Sequence, residues 1–545
     1  MNANILTLAT LLLVGSAITS CKNDSEKINP EIPAEPESES APQPGKVIYN
    51  MTVDACKGGE TRALADAGTT LTATWTAGDE VEVWTSDGTT AKYGTLTAES
   101  TGLRTKLTGT LETLPSDGEE LKLKYLSASY NLQNGTLTGN EASIDKVCDY
   151  AEAEVTAKVS GTSVSSASAV FQSKQAIVKF TLKKASNNTQ LSTRRLNITV
   201  AGVTYSIIPD ASTSELYAAL PCISNQTIRL STNVYDEFYT YSKSNVTFDN
   251  GMFYRINVKM KEDTGALDGK FTIDADGTQV FFSKGNLQAA RNSFESDWSW
   301  SFAATQWEYI GETDFYKNMS SKNGTFDLFG WVGSSSDQRS NPPLCYGLYT
   351  TSVASEYGTA YGESLAKEWG HVFGGVLSKW FTLSAEQWLY LCNTRSGATV
   401  NSAVNARYTL ATINTDGSVA NGMILFPDDV VIESDEATTW GRINGSSEFA
   451  TKCTSEQWME LEAKGCVFLP AAGRRYGNIV NSADTEGTYW SSSSNTKNTK
   501  QYYMAYAMSF RGVQYSTTQG YYVTPNYETQ RSNGYSVRLV RKVTD

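Results

Sequence analysis

The sequence predicts a sheet-rich chain, mainly β-sandwich through its first half and built on a different core after that. Three observations carry this. From Val47 to Met260 apolar residues alternate with polar ones in short runs such as Glu80-Val81-Glu82-Val83-Trp84 and Ile177-Val178-Lys179-Phe180-Thr181-Leu182, separated by Gly, Asp and Ser. Period-two alternation at that spacing is the pattern of strands with one buried face. Few stretches read as long helices, and ten of the twelve Trp lie after Phe271, so the second half needs another kind of core. A chain of 545 residues holds about three domains at roughly 100 to 200 residues each.

Residues 1–21 read as a targeting segment. Ile5 to Val14 is an apolar run too short to cross a bilayer. Ile18-Thr19-Ser20-Cys21 resembles the lipobox of bacterial lipoproteins, which implies a lipid on Cys21 and membrane attachment through that lipid only. No Lys or Arg precedes the apolar run, a departure from that pattern. Lys22-Asn23-Asp24-Ser25-Glu26 resembles the surface-export tag of Bacteroidetes lipoproteins, which implies display on the outside of the cell outer membrane. Residues 22–46, with Pro30, Pro33, Pro36, Pro42 and Pro44 among Glu, Ser and Ala, cannot bury a core and form a disordered tether.

Two β domains are expected next, at 47–160 and 161–262. Trp75-Thr76-Ala77-Gly78-Asp79-Glu80-Val81-Glu82-Val83 resembles the first-domain signature of the fimbrillins, pilins and fimbria-associated lipoproteins of Bacteroidetes. Phe171, Gln175-Ala176-Ile177-Val178-Lys179-Phe180, Leu216-Tyr217-Ala218-Ala219-Leu220-Pro221 and Gly251-Met252-Phe253-Tyr254-Arg255-Ile256-Asn257-Val258 follow the order of that family's second domain. The resemblance covers about 215 residues and implies two transthyretin-like β-sandwiches. It also implies proteolysis after an Arg, which frees a groove for the strand of a neighbouring subunit. Arg62 and Ala63, in Thr61-Arg62-Ala63, sit where that cut would fall. A plain exposed Arg in a mobile segment is the competing reading. A sandwich lacking one strand exposes unpaired N–H and C=O groups beside an apolar groove, and a donated strand satisfies both.

Residues 263–270, with Gly265 and Gly269, read as a linker into 271–545. Trp300-Ser301-Phe302-Ala303-Ala304-Thr305-Gln306-Trp307, Asp327-Leu328-Phe329-Gly330-Trp331, Trp380-Phe381-Thr382-Leu383-Ser384-Ala385-Glu386-Gln387-Trp388, Phe468-Leu469-Pro470-Ala471-Ala472-Gly473-Arg474-Arg475 and Gly487-Thr488-Tyr489-Trp490-Ser491-Ser492 occur in that order. They resemble the C-type-lectin-like domains of Bacteroidetes surface proteins, a branch that includes the variable proteins of diversity-generating retroelements. The resemblance implies an α+β domain on the scaffold shared with formylglycine-generating enzymes, with a variable region over 487–541. Ser384 is placed to cap a helix that carries Trp388 and Leu391, with Glu386 in its first turn.

Several chemistries are excluded or disfavoured. His371 is the only histidine, so a His-rich zinc site cannot form and a serine triad would have to use this one base. No Walker loop or dinucleotide fingerprint occurs. The net charge of −13 disfavours nucleic-acid binding, although residues 471–545 hold nine Lys or Arg against four Asp or Glu. Seven cysteines follow Cys21 without any Cys-x-x-Cys pair, so neither a zinc ribbon nor a disulfide framework is expected. Formylglycine-generating enzymes carry catalytic cysteines near the C-terminus, whereas here Cys466 is the last. The Glu-Pro-Asn and Trp-Asn-Asp patterns of calcium-binding lectins are missing, and Asp428-Asp429 with Glu433-Ser434-Asp435-Glu436 reads as an acidic loop. No enzyme activity, metal or cofactor is expected.

The expected contact surface is Ser494, Asn495, Asn498, Tyr502, Tyr503, Tyr515, Tyr522, Asn526, Tyr527, Arg531 and Asn533. Tyr supplies broad amphipathic contact at low entropy cost, and Ser and Asn supply adaptable hydrogen bonds. Trp490, Val537 and Leu539 are expected in the core, Arg474 or Arg538 as loop braces, and Tyr506 facing inward. The expectation is a lipidated surface adhesin or fimbrial tip or stalk subunit that binds a protein or glycan through this surface. Strand exchange with other fimbrillin subunits and retroelement diversification would accompany it. The alternatives are a structural fimbrial anchor or subunit with no ligand of its own, and a glycan-binding lipoprotein of a nutrient-uptake system.

Overall fold

The computed structural model describes residues 48–57, 65–66, 71–72, 74–126, 130, 133–140, 142–291, 298–310, 324–331, 369–374, 378–415, 418–433, 439–476, 479–494, 504–514, 520–531 and 533–543. Cys21, residues 22–46, Arg62 and Ala63 lie outside them. The alternating runs of the first half become two β-sheet domains, and an α+β region follows.

The first sheet closes on itself. Its ring runs Ala169–Ser173, Ala151–Thr156, Glu120–Tyr125, Glu80–Thr85, Lys92–Ala98, Arg104–Leu111 and Tyr49–Lys57, and Tyr49–Lys57 then pairs back onto Ala169–Ser173. A hairpin of Lys158–Ser160 and Ser163–Ser165 continues from the same strand. Inward positions alternate along each strand, as in Met51, Val53 and Ala55 or Val81 and Val83, and all are buried. Trp75 plugs the interior, edge-on to Tyr125 at 5.6 Å and to Phe171 at 5.2 Å. Closure removes the open edges that an exposed sheet would present. Ala169–Ser173 closes this ring and Ser163–Ser165 belongs to the attached hairpin, so the first β domain continues past the expected boundary at residue 160.

The second sheet has seven strands in the order Val203–Ile207, Leu196–Val200, Ile223–Val234, Glu237–Phe248, Phe253–Asp263, Ala176–Lys184 and Glu215–Leu220. Phe253–Asp263 is shared between two layers: its last residues pair with Glu237–Phe248 and its earlier ones run parallel to Ala176–Lys184. The two end strands are Val203–Ile207 and Glu215–Leu220. Both are met by residues that leave the first ring between Tyr125 and Ala151. The Gln133 carbonyl accepts from Ile208 N at 2.8 Å, and its side chain takes both backbone groups of Ala219, donating to the carbonyl at 3.0 Å and accepting from the N–H at 2.7 Å. Gly135 O accepts from Tyr217 N at 2.9 Å. The first domain thus supplies polar partners along the seam of the second.

Beyond Lys270 the chain pairs its own ends, since Gln279–Phe282 runs antiparallel to Val540–Lys542, which also pairs with Trp380–Phe381. Helix Ala385–Asn393 starts at Ser384 with a full capping box: Ser384 Oγ accepts from Gln387 N at 3.1 Å and Gln387 Oε1 accepts from Ser384 N at 2.9 Å. Helix Ser455–Ala463 begins the same way at Thr454 with Gln457. Trp388 and Trp458, each four residues after its cap, are buried. Trp298, Trp300, Trp331, Trp369, Trp380 and Trp490 share a second core with Phe302, Phe326 and Phe329.

Residues from Ile48 onward form one unit, and one aromatic ring helps join the second sheet to the last region. Phe238, at the tip of the 223–248 hairpin, stacks on Phe302 at 5.1 Å and meets Phe373 at 5.8 Å and Trp380 at 6.0 Å. Lys284 pairs with Asp263 at 2.8 Å, and buried Arg195 donates through Nη2 to Gln288 Oε1 at 2.7 Å. Among the described residues no helix is long and apolar enough to cross a membrane. The described cysteines, Cys56, Cys148, Cys222, Cys392, Cys453 and Cys466, are free thiols.

Candidate functional site

Two places bear on the residues marked out by the sequence. The first is Tyr49–Lys57, which ends five residues before Arg62. It pairs antiparallel with Arg104–Leu111 from Tyr49↔Leu111 to Cys56↔Arg104. Its other edge runs parallel to Ser163–Ser165 and then to Ala169–Ser173. Met51 and Val53 are buried at about 1.5–3 kcal/mol each by area transfer. The strand therefore contributes a row of apolar side chains and two hydrogen-bonded edges, and its covalent link to the next strand of the ring runs through residues 58–79.

The second place is the sheet of Glu486–Ser494, Met504–Arg511 and Tyr522–Gln530, in that order. Both faces of its first two strands are covered. Tyr489, Met508 and Phe510 enter one core, while Trp490, Ala505 and Ala507 enter the other. Trp490 Nε1 donates to Phe329 O at 2.6 Å, Trp331 Nε1 to Ser491 O at 2.9 Å, and Tyr489 OH to Pro470 O at 2.9 Å. Arg538 is a brace: it is fully buried and donates to Asn286 Oδ1 at 3.3 Å and Gln306 Oε1 at 3.1 Å. Burial pushes its guanidinium down to about 10, against the weaker opposite pull of Tyr489 and Glu462. Val537 and Leu539 lie in the core beside it.

Tyr522–Gln530 is the outermost strand, and Pro525 in its middle removes one N–H from the ladder, as suits an edge. Asn526, Glu528 and Gln530 are exposed along it, and Tyr527 is half-buried opposite Ala507. Tyr522 is held at the other end. Its ring lies 5.1 Å from the Arg511 guanidinium, its hydroxyl accepts from Ser509 Oγ at 3.4 Å, and burial pushes its phenol up to about 12. Arg511 pairs with buried Glu486, which Arg474 approaches at 3.6 Å. The cluster carries one more positive than negative charge beneath the Tyr522 ring.

Of the eleven expected contact residues, Asn495, Asn498, Tyr502, Tyr503 and Tyr515 lie outside the described residues. Ser494 ends its strand opposite Ala505 beyond a register shift. Arg531 and Asn533 are inside, at 5% and 6% exposure. The Arg531 guanidinium lies 4.5 Å from the Trp331 ring centre and its Nε donates to Met504 O at 3.0 Å. Asn533 Nδ2 donates to Thr529 Oγ1 at 3.2 Å and Tyr535 OH at 3.1 Å. Both are polar residues whose partners are internal, a role that composition alone does not reveal. Tyr506 is only half-buried, because Ala505 and Ala507 occupy the inward positions around it.

The remaining candidates serve the framework. Asp428 takes Arg395 Nη1 at 2.7 Å and Thr272 N at 2.7 Å. Among the described residues no group of three His, Cys, Asp or Glu is placed to hold a metal. His371 is on the helix Trp369–Gly374, where burial lowers its pKa.

No protein-family model matches the chain, and no curated protein matches it. Among solved structures, a fimbrial assembly protein from Parabacteroides distasonis aligns at 15% identity, covering 43% of this chain and 96% of its own, with a TM-score of 0.22. A shaft pilin from Lactobacillus rhamnosus GG aligns at 11% identity over 40% of this chain and 98% of its own, with a TM-score of 0.19.

Proposed function

We propose that this chain is a structural subunit or anchor of a surface fimbria, tethered at first by lipid on Cys21, whose assembly exchanges the strand Tyr49–Lys57. The supporting observation is where that strand lies. It is the piece that completes the first ring, and it lies wholly upstream of Arg62. Cleavage between Arg62 and Ala63 would cut its covalent link. Its departure would bare the edges of Arg104–Leu111 and of 163–171, beside the groove that Met51, Val53 and Ala55 fill. An equivalent strand from a neighbouring copy would restore both the ladder and the core. Transthyretin-like topology for 47–160 and 161–262 and a C-type-lectin-like origin for 271–545 belong to the same proposal, resting on the sequence motifs.

The test compares a chain starting at Ala63 with one starting at Val47. The shorter chain should bind a synthetic peptide of residues 47–58 or polymerise, read by light scattering and electron microscopy, while the longer one stays monomeric. A monomeric Ala63 chain that ignores the peptide, together with an intact N-terminus on cells, would sink the reading. A second reading keeps the 487–541 surface as a protein- or glycan-binding head, diversified by a retroelement. The exposed row of Asn526, Glu528 and Gln530 on an outer strand over a doubly covered sheet favours it. Sequencing codons 487–541 in several isolates, with a search for a template repeat, tests it.

A further inference from the structure

A cleft of about 1130 Å³ opens between the outward face of the second sheet and the last region. Where Phe238 meets Phe302 the two walls touch. Away from that contact the sheet face is polar and cationic rather than apolar, as a face meant to pack on a neighbour would be. Register puts Arg229 opposite Ser242, Ser231 opposite Thr240 and Thr240 opposite Lys261, so these side chains share one face, with Lys259 two residues from Lys261. Arg229, Lys259 and Lys261 are exposed and form no ion pair among the described residues, whereas nearby Lys284 is matched by Asp263. Three unmatched cations in one cleft are conspicuous on a chain of net charge −13.

The facing wall supplies different chemistry. The Trp307 ring is half-buried on the cleft, and Ser301 and Trp458 line it at 3% and 1% exposure.

We propose that this cleft binds an acidic saccharide. An indole offers a flat apolar surface to the CH face of a sugar ring, hydroxyl side chains serve a polyhydroxylated ligand, and Arg and Lys take its carboxylate or sulfate. An acidic peptide fits less well, because the wall is the face of a sheet and not its edge, so it offers no free ladder groups to an extended chain. This site goes beyond the fimbrial reading, which needs no ligand, and its failure would leave strand exchange standing.

The experiment is calorimetric titration of the full chain with uronic-acid, sulfated and neutral oligosaccharides of equal length, at low and physiological salt. Variants K259A/K261A and W307A are titrated alongside after thermal melts confirm that they fold. The expected result is binding of at least one acidic series and not the neutral one, weakened by salt. Loss of two exposed cation contacts should weaken it about tenfold, and W307A should weaken it as well. The uronic-acid and sulfated arms distinguish which anion is read. The proposal is overturned if no acidic oligosaccharide binds, if binding survives both variants, if an acidic peptide binds in their place, or if N526A/Y527A abolishes binding and moves the site to the outer strand.

Discussion

At the scale of single residues, Gln133 ties the first two domains together through its side chain. It is fully buried, donates to Tyr130 O at 2.8 Å as well as to Ala219 O, and accepts from Ala219 N. Q133A leaves Ala219 with two buried unpaired backbone groups, so it should destabilise the chain by roughly 2–4 kcal/mol in urea titration. A loss below that of an ordinary surface substitution would show that the seam opens to water. Asp263 gives a pH signature. Burial alone would raise its carboxyl, but the Lys284 ammonium and the Gly265 N–H outweigh burial and hold it below the usual range. A depressed carboxylate adds stability above the unfolded value of about 3.9 and loses it as pH falls through the folded value. Acidification from about pH 6 to about pH 3 should therefore cost the wild type more than D263N, with about 1 kcal/mol separating them at the higher pH. Such pairings are invisible in the sequence, because Gln133 and Ala219, or Asp263 and Lys284, meet only through the fold. The same blindness grouped Arg531 and Asn533 with surface residues, although Trp331 and Tyr535 give them internal partners.

Elements were more legible where the signal is local. Strands at Glu80–Thr85 and Ala176–Lys184 follow their alternation directly. The cap at Ser384 is readable because Ser384, Glu386 and Trp388 sit within five residues, and the structure adds the return bond from Gln387 that completes a capping box. Thr454-Ser455-Glu456-Gln457-Trp458 repeats that pattern and builds a second helix in the same way. S384A and T454A should each cost about 1 kcal/mol, typical of a lost cap. Thermal melting should then fall by about 2–4 °C per substitution in a domain of this size, and unchanged melting would mean that Trp388 and Trp458 packing alone fixes these helices. What local signals could not give was closure. Tyr49–Lys57 pairs with residues more than a hundred positions away, on one side in parallel, so nothing near it in sequence announces the ring. Likewise the hairpin of Lys158–Ser160 and Ser163–Ser165 turns through Gly161, and a hairpin turn uses the same residue types as a linker, so composition does not separate the two.

At the scale of the whole molecule, the two β domains and the last region are distinct in core chemistry, yet they interlock through few contacts. Residues 133–148 leave the first ring to cover the seam of the second sheet, and the second sheet reaches the Trp-rich core through Phe238. The ring has Phe302, Phe373 and Trp380 within 6.0 Å between centres, while the surrounding contacts are the Asp263 pair and the amide bonds of Arg195 and Asn233. Truncating a packed Phe costs about 3–5 kcal/mol, much of which here would fall on docking rather than on either core, because Phe238 contributes no side chain to the interior of its own sheet. F238A should therefore split thermal unfolding into two calorimetric transitions, one for the β domains and one for residues 271–545, and should expose the 264–270 connector to protease. A single transition merely shifted downward would mean that Arg195, Asn233 and Lys284 suffice to couple the domains. The distinction bears on assembly. Under the proposed strand exchange, a subunit that passes load from that strand to the last region would need its domains to move as one body, and the Phe238 contact is where that coupling can be cut.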